Sequence, residues 1–160
     1  MSQGSRAVTS GNVLENTIES ILQTHKYYQV GTNVSKKKRQ NYLSNASLLQ
    51  KRYARQVFVG NGIYDTEIYV DFYIIGVSMV PEGLIIECKW QQSSGSVDEK
   101  LPYVNLNIQN CYPAPAIVVI DGGGMKPGAI KWLKSQVGSN QNLLGVYGLM
   151  DFVVWANNNF

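Results

Sequence analysis

Two cysteines and a single histidine are all that this 160-residue sequence offers a soft metal. Cys88, Cys111 and His25 fall one ligand short of a four-ligand zinc site, and two cysteines give no disulfide framework. Catalytic schemes that need several histidines are excluded on the same count. No run approaches the roughly 18–20 apolar residues of a membrane span, and the polar opening MSQGSRAVTSGN lacks the apolar core of a signal peptide. A soluble, cytoplasmic (intracellular) chain with no membrane partner is the expectation. Arginine is absent after Arg55, and acids are absent from residues 36–55. That second absence leaves a block of positive charge with no local counter-charge.

The length suits one domain with a substantial core, expected over residues 11–160 after a loose lead-in at 1–10. Val13, Leu14, Thr17, Ile18, Ile21 and Leu22 recur at helical spacing and predict a helix from about Asn12 to His25. Asn12 as N-cap and Glu15 three residues on resemble a capping box. Residues 27–33 suit a short extended piece. A further helix within 36–53 would use Leu43, Ala46, Leu48 and Leu49 as its apolar side. A β run begins at Gln56, and Gly60-Asn61-Gly62 signals a turn. Strands follow at 66–75 and 83–90, then a helix from about Val97 to Tyr112, with Ser96 as its cap and Pro102 in its first turn. The continuous apolar run at 115–121 is the pattern of a strand covered on both faces. A helix from Pro127 to Gln136 and a last strand over 144–155 complete the chain. The closing alternation of helix and strand argues for an α/β sandwich with a mixed sheet.

Charge is out of place in two of these strands. In GLIIECKW, period-two alternation puts Ile85, Glu87, Lys89 and Gln91 on one face, and Leu84, Ile86 and Cys88 on the other. Glu87 and Lys89 then project side by side, roughly 6–7 Å apart. Asp71 interrupts TEIYVDFYII in the same way. Burying such groups is unfavourable unless each has a partner or a task. Two carboxylates and a lysine around one point suit metal-dependent phosphodiester hydrolysis. Hard oxygen ligands hold Mg²⁺, the ion polarises the phosphate, and the lysine orients or deprotonates water or offsets transition-state charge. The alternative reading is a paired Glu–Lys on an edge strand.

With Asp71 on one strand, Glu87-Cys88-Lys89 on the next and the order of elements around them, the chain resembles the PD-(D/E)XK nuclease superfamily. Val70 stands where the motif's name has proline. The resemblance implies a restriction-endonuclease-like three-layer α/β/α sandwich with a central mixed β-sheet. It implies that Asp71 and Glu87 hold the metal, Mg²⁺ with Mn²⁺ as substitute, and that Lys89 serves catalysis. Glu15 in the first helix would join them, with Glu19 one turn later as competitor. Gln91 matches a polar position on the same strand face, and Lys100 a phosphate-contacting position. The implied activity is site-specific DNA endonuclease, of restriction or homing type, working as a homodimer or larger symmetric homo-oligomer. A Holliday-junction or other structure-selective resolvase is one alternative, and a non-catalytic nucleic-acid-binding protein on the same fold is another.

Other motifs weigh less. Gly62-Ile63-Tyr64 with Tyr73-Ile74-Ile75-Gly76 superficially resembles the GIY-YIG nucleases. Those enzymes need a later arginine, which this chain lacks, and the second half carries one residue too many. Asp121 to Gly128 lacks the G-x-x-x-x-G-K-[ST] pattern of a phosphate loop and reads as a tight strand-to-helix turn. Seven of the fourteen basic residues, Lys36, Lys37, Lys38, Arg39, Lys51, Arg52 and Arg55, lie in the acid-free block. Beside a nuclease site they are expected to meet DNA backbone; alone they would be a solvated face.

Overall fold

Leu14, Ile18 and Leu22 are spaced by four and completely or almost completely buried, so the first helix, α1 (Gln3–Thr24), lies with this stripe against a β-sheet. The computed structural model describes residues 3–46 and 48–160, with side chains from Asn12 onward. The helix therefore starts well before Asn12, and the stretch expected as a loose lead-in is helical from its third residue. Once a packed stripe has nucleated a helix, each added residue costs little. Met1 and Ser2 lie outside the described residues.

Strand β1 (Tyr28–Gln29) follows, then a 3₁₀ turn over Lys36–Lys38 that runs into α2 (Arg39–Asn45). Helix α2 is shorter than its sequence suggests. It buries Leu43 and half-buries Ala46 beyond its end, while Leu48 is 99% exposed and Leu49 38%. Strands β2 (Arg52–Asn61), β3 (Glu67–Ile75) and β4 (Leu84–Trp90) form an antiparallel meander. The turn between β2 and β3 sits over Gly62–Asp65, past the expected Gly60–Gly62, where the Gly62 N–H bonds Thr66 O at 2.9 Å. A 3₁₀ turn at Asp98–Lys100, with no side-chain cap from Ser96, leads into α3 (Leu101–Asn110). Then come β5 (Ala116–Asp121), α4 (Pro127–Gln136), β6 (Leu143–Gly148) and α5 (Leu149–Asn159). The expected long last strand is thus half strand and half helix. Phe152 and Ala156, four apart, bury themselves on the sheet while Val154 between them is exposed, which a strand's alternation could not arrange.

Among the described residues six strands lie in sequence order, with β1–β2, β4–β5 and β5–β6 parallel and the meander antiparallel. Helices α1 and α5 cover one face; α2, α3 and α4 cover the other. This is the expected three-layer α/β/α sandwich with a mixed sheet. Strand β5 explains its unbroken apolar sequence: Ile117 and Val119 enter the α1/α5 core while Ala116, Val118 and Ile120 enter the other. Among the described residues no helix is long and apolar enough to cross a membrane.

Candidate active site

Strands β3 and β4 pair only at Ile74–Leu84, Tyr73–Ile85 and Phe72–Ile86, although both strands continue. The next opposed pair would be Asp71 and Glu87. Both carboxylates therefore stand at the fork where the strands part. Asp71 Oδ2 accepts the Cys88 N–H at 2.8 Å, so its side chain satisfies a donor that the parted ladder leaves free.

The fork has a local cause. Along β3, Val70 and Tyr73 enter the same core, as do Ala54 and Val57 opposite them on β2, whereas strict alternation would separate each pair. The β2–β3 ribbon turns over by one residue at Gln56 and Asp71. Gln56 takes a left-handed φ of 50°, which is uncommon for a residue with a side chain. Its amide Nε2 donates to Asp71 Oδ1 at 3.1 Å. Both oxygens of Asp71 are thus oriented before any ligand arrives.

Glu87 is buried, with only 6% of its side chain exposed. Tyr112, just past α3, donates to its Oε1 at 2.5 Å, and Lys89 Nζ lies 3.7 Å from its Oε2. Burial pushes the Glu87 carboxyl up to about 8, Lys89 pulls it down, and Asp71 raises it further. Burial alone would lower the Lys89 ammonium, yet Glu87 and Asp71 outweigh it, so Lys89 is held more firmly charged than a free lysine. Cys88, between them, packs into the opposite core as its alternation requires.

Helix α1 brings Glu15 to the same place. Its carboxyl is raised by burial and then by Asp71, which marks the two as close neighbours. Arg55 Nη2 donates to Glu15 Oε2 at 2.9 Å, and Arg55 Nη1 to Glu19 Oε2 at 2.7 Å. Glu19 is further occupied by the Tyr53 hydroxyl at 2.7 Å. Of the two helix glutamates, Glu15 is the one facing Asp71.

Gln91 lies beyond this group. Its amide bridges two loops, donating to Gly124 O at 3.1 Å and accepting from Val97 N–H at 2.8 Å. The Gly-rich turn packs on the same segment: a Cβ at Gly122 would lie 2.4 Å from Gln91 O, and one at Gly124 would lie 2.3 Å from the Gln92 carbonyl carbon. Glycine is required there by close backbone approach, as a strand-to-helix turn would have it.

The basic block divides. Arg52 is buried and spends its guanidinium on the carbonyls of Leu43 and Leu49, at 2.6 and 2.8 Å. Arg39 ties Val34 O and Arg55 O. Arg55 is committed to Glu15 and Glu19. Charge alone groups these three arginines with the DNA-binding residues; in the structure each guanidinium is engaged by the protein itself. Lys51 lies over Tyr27 and reaches His25 O at 3.4 Å. Lys36 sits over Tyr69, and Lys37 sits over Phe58 and pairs with Glu67. Lys38 and Lys100 are exposed.

The donor set fits a hard divalent ion. Asp71 and Glu87 repel each other where burial already disfavours charge, and a cation between them would relieve both penalties. Among the described residues no three His, Cys, Asp or Glu side chains are gathered closely enough to enclose an ion unaided. Mg²⁺ does not need that: it is commonly held by one or two carboxylates plus waters and substrate phosphate. Sequence reading missed Tyr112, Gln56 and the role of Arg55. None carries a local signal, because each meets its partner only through the fold.

A family model described as a PD-(D/E)XK nuclease superfamily domain matches residues 6–160. No curated protein and no solved structure matches the chain.

Proposed function

Because this chain belongs to the PD-(D/E)XK nuclease superfamily, we propose that it is a divalent-metal-dependent endonuclease that hydrolyses DNA phosphodiesters, with Mg²⁺ as the working ion and Mn²⁺ as substitute. The observation that carries this reading is the pair of carboxylates at the β3–β4 fork with Lys89 3.7 Å from Glu87. Asp71 and Glu87 would hold the ion, and Glu15 lies beside Asp71 to complete its surroundings. When bound, the ion supplies Lewis-acid polarisation of the scissile phosphate and the attacking water. Lys89, kept as an ammonium by its carboxylate neighbours, orients that water and offsets the negative charge that grows on the phosphoryl oxygens. Its raised affinity for the proton favours this role over that of general base. Tyr112 and Gln56 fix the rotamers of Glu87 and Asp71.

Within this reading a site-specific enzyme of restriction or homing type is preferred, with two copies cutting two strands. A junction-selective resolvase is the alternative, supported by the way the single α/β/α unit takes up the described residues. A binder without catalysis is disfavoured, since carboxylates near phosphate would only weaken its grip. Incubation of plasmid and of branched DNA with Mg²⁺, Mn²⁺ or chelator distinguishes the three. Cleavage that needs the metal and is lost in Glu87→Gln and Lys89→Ala is expected. Cleavage that persists in either variant would overturn the assigned site.

A further inference from the structure

We propose that the cleft at the carboxyl end of β5 binds a nucleoside monophosphate, in a site separate from the β3–β4 fork. The cleft measures about 660 Å³ and lies between the end of β5, the Gly-rich turn and α4. Sites for small ligands typically enclose about 300–1,000 Å³. In open α/β sheets they form outside the carboxyl ends of the strands, and β4, β5 and β6 run parallel to one another. Asp71, Glu87 and Lys89 take no part in its walls.

Three charged side chains line the cleft. Lys131 and Lys134 are exposed and sit one turn apart on α4, on the helical stripe that also carries Pro127 and Ile130. Asp121 closes β5 on another wall. Among the described residues the ion pairs involve other side chains, so Asp121 and the two lysines share a cleft without pairing. Neighbouring like charges on a helix repel, and an anion held between them offsets that repulsion. A phosphate monoester brings nearly two negative charges and three acceptor oxygens to the two ammonium groups. Asp121, as a carboxylate, can only accept hydrogen bonds. Two vicinal ribose hydroxyls match its two oxygens, as an acidic side chain meets ribose in dinucleotide sites. Between these charges the cleft is apolar. Ile120 and Met125 are buried beneath it, and Pro127 and Ile130 flank it. A base laid over this surface removes it from water, which a bare sugar phosphate would not do. The turn leaves the rim open, since a Cβ at Gly123 would meet nothing within 4 Å. Side chains of α4 hold the phosphate here, so the missing phosphate-loop pattern is no obstacle. The cleft uses none of the fork residues and does not depend on the nuclease reading.

The test titrates adenosine 5′-monophosphate into the full chain by calorimetry, in chelator so that no metal bridges phosphate to the fork. Saturable binding is expected, about tenfold or more tighter than that of adenosine or of inorganic phosphate. Lys131→Ala combined with Lys134→Ala should weaken it by about tenfold or more, through loss of charge-assisted hydrogen bonds. The wild type should prefer the ribonucleotide to its 2′-deoxy counterpart by about threefold or more, the worth of one hydrogen bond. Asp121→Ala should erase that preference, and Glu87→Gln should leave every affinity unchanged. The two lysines are exposed, so their replacement leaves the fold intact and keeps the test decisive even if Asp121→Ala is unstable. Affinity equal to that for inorganic phosphate, or indifferent to loss of both lysines, overturns the proposal. So does equal binding of the ribo and deoxy forms by the wild type, or binding that is lost in Glu87→Gln.

Discussion

Tyr112 holds Glu87. Its hydroxyl donates to Glu87 Oε1 at 2.5 Å, across 25 positions of sequence, from a residue just past the end of α3. The bond fixes which oxygen of Glu87 remains free to face Asp71 and Lys89. Tyr112→Phe removes the donor without changing the ring. Leaving a buried oxygen unpaired should cost about 1–3 kcal/mol of stability. Partners of metal-holding carboxylates typically matter by about 10–100-fold in metal affinity or activity. A metal titration of cleavage should therefore show the half-saturating Mg²⁺ concentration rising in Tyr112→Phe; an unchanged curve would remove Tyr112 from the site.

Burial gives the metal-free protein an inverted pH response. Glu87 ionises near 4.5 when unfolded and at about 8 when folded. Between those values the native state binds the extra proton, so stability falls as pH rises, by at most about 1.4 kcal/mol per pH unit for one group. Burial raises Glu15 in the same direction. Denaturant melts in chelator should show this decline between roughly pH 4.5 and 8. Glu87→Gln should flatten it, and Mg²⁺ should flatten it in the wild type while releasing protons.

Gln56 combines a strained backbone with a useful side chain. At φ 50° a glycine is comfortable and an alanine is not. Gln56→Gly trades the lost hydrogen bond to Asp71 against relief of strain, whereas Gln56→Ala loses the bond and keeps the strain. The alanine variant should be less stable by about 1 kcal/mol, measured by urea unfolding. Both should cleave more slowly, because Asp71 Oδ1 is no longer oriented.

The basic residues should separate by task. Replacing Lys36, Lys37 and Lys38 with alanine should weaken DNA binding and flatten its salt dependence, by about 0.9 in log–log slope for each phosphate no longer neutralised. Arg55→Met should leave that slope alone. It should instead destabilise the fold by about 1–3 kcal/mol, because Glu15 and Glu19 lose their common partner in a mostly buried setting. A salt slope that drops in Arg55→Met would place this arginine at the nucleic acid after all.

Much of the site is written in strand periodicity. Alternation within residues 84–90 places Glu87 and Lys89 on one face and Cys88 on the other, and the structure keeps that division. The apolar run of β5 and the glycines after it announce a doubly covered strand and a tight turn. These features depend on neighbours along the chain, where backbone geometry fixes side-chain direction. The end of the chain is less legible: LLGVYGLMDFVVW is apolar at both periods, and the burial of Phe152 and Ala156 with Val154 exposed between them marks its second half as helical.

What the amino-acid sequence determined by itself, then, is the layer order, the mixed sheet and the carboxylate–lysine set of β4. The tertiary structure alone decided which charges are free. Arg55 and Glu15 are 40 residues apart and meet at 2.9 Å, while Arg52, equally basic in sequence, is buried against the carbonyls of Leu43 and Leu49. Composition counts such charges alike. Their fate depends on the desolvation and partners each meets once the helices close over the sheet, and spacing along the chain does not encode those long-range encounters.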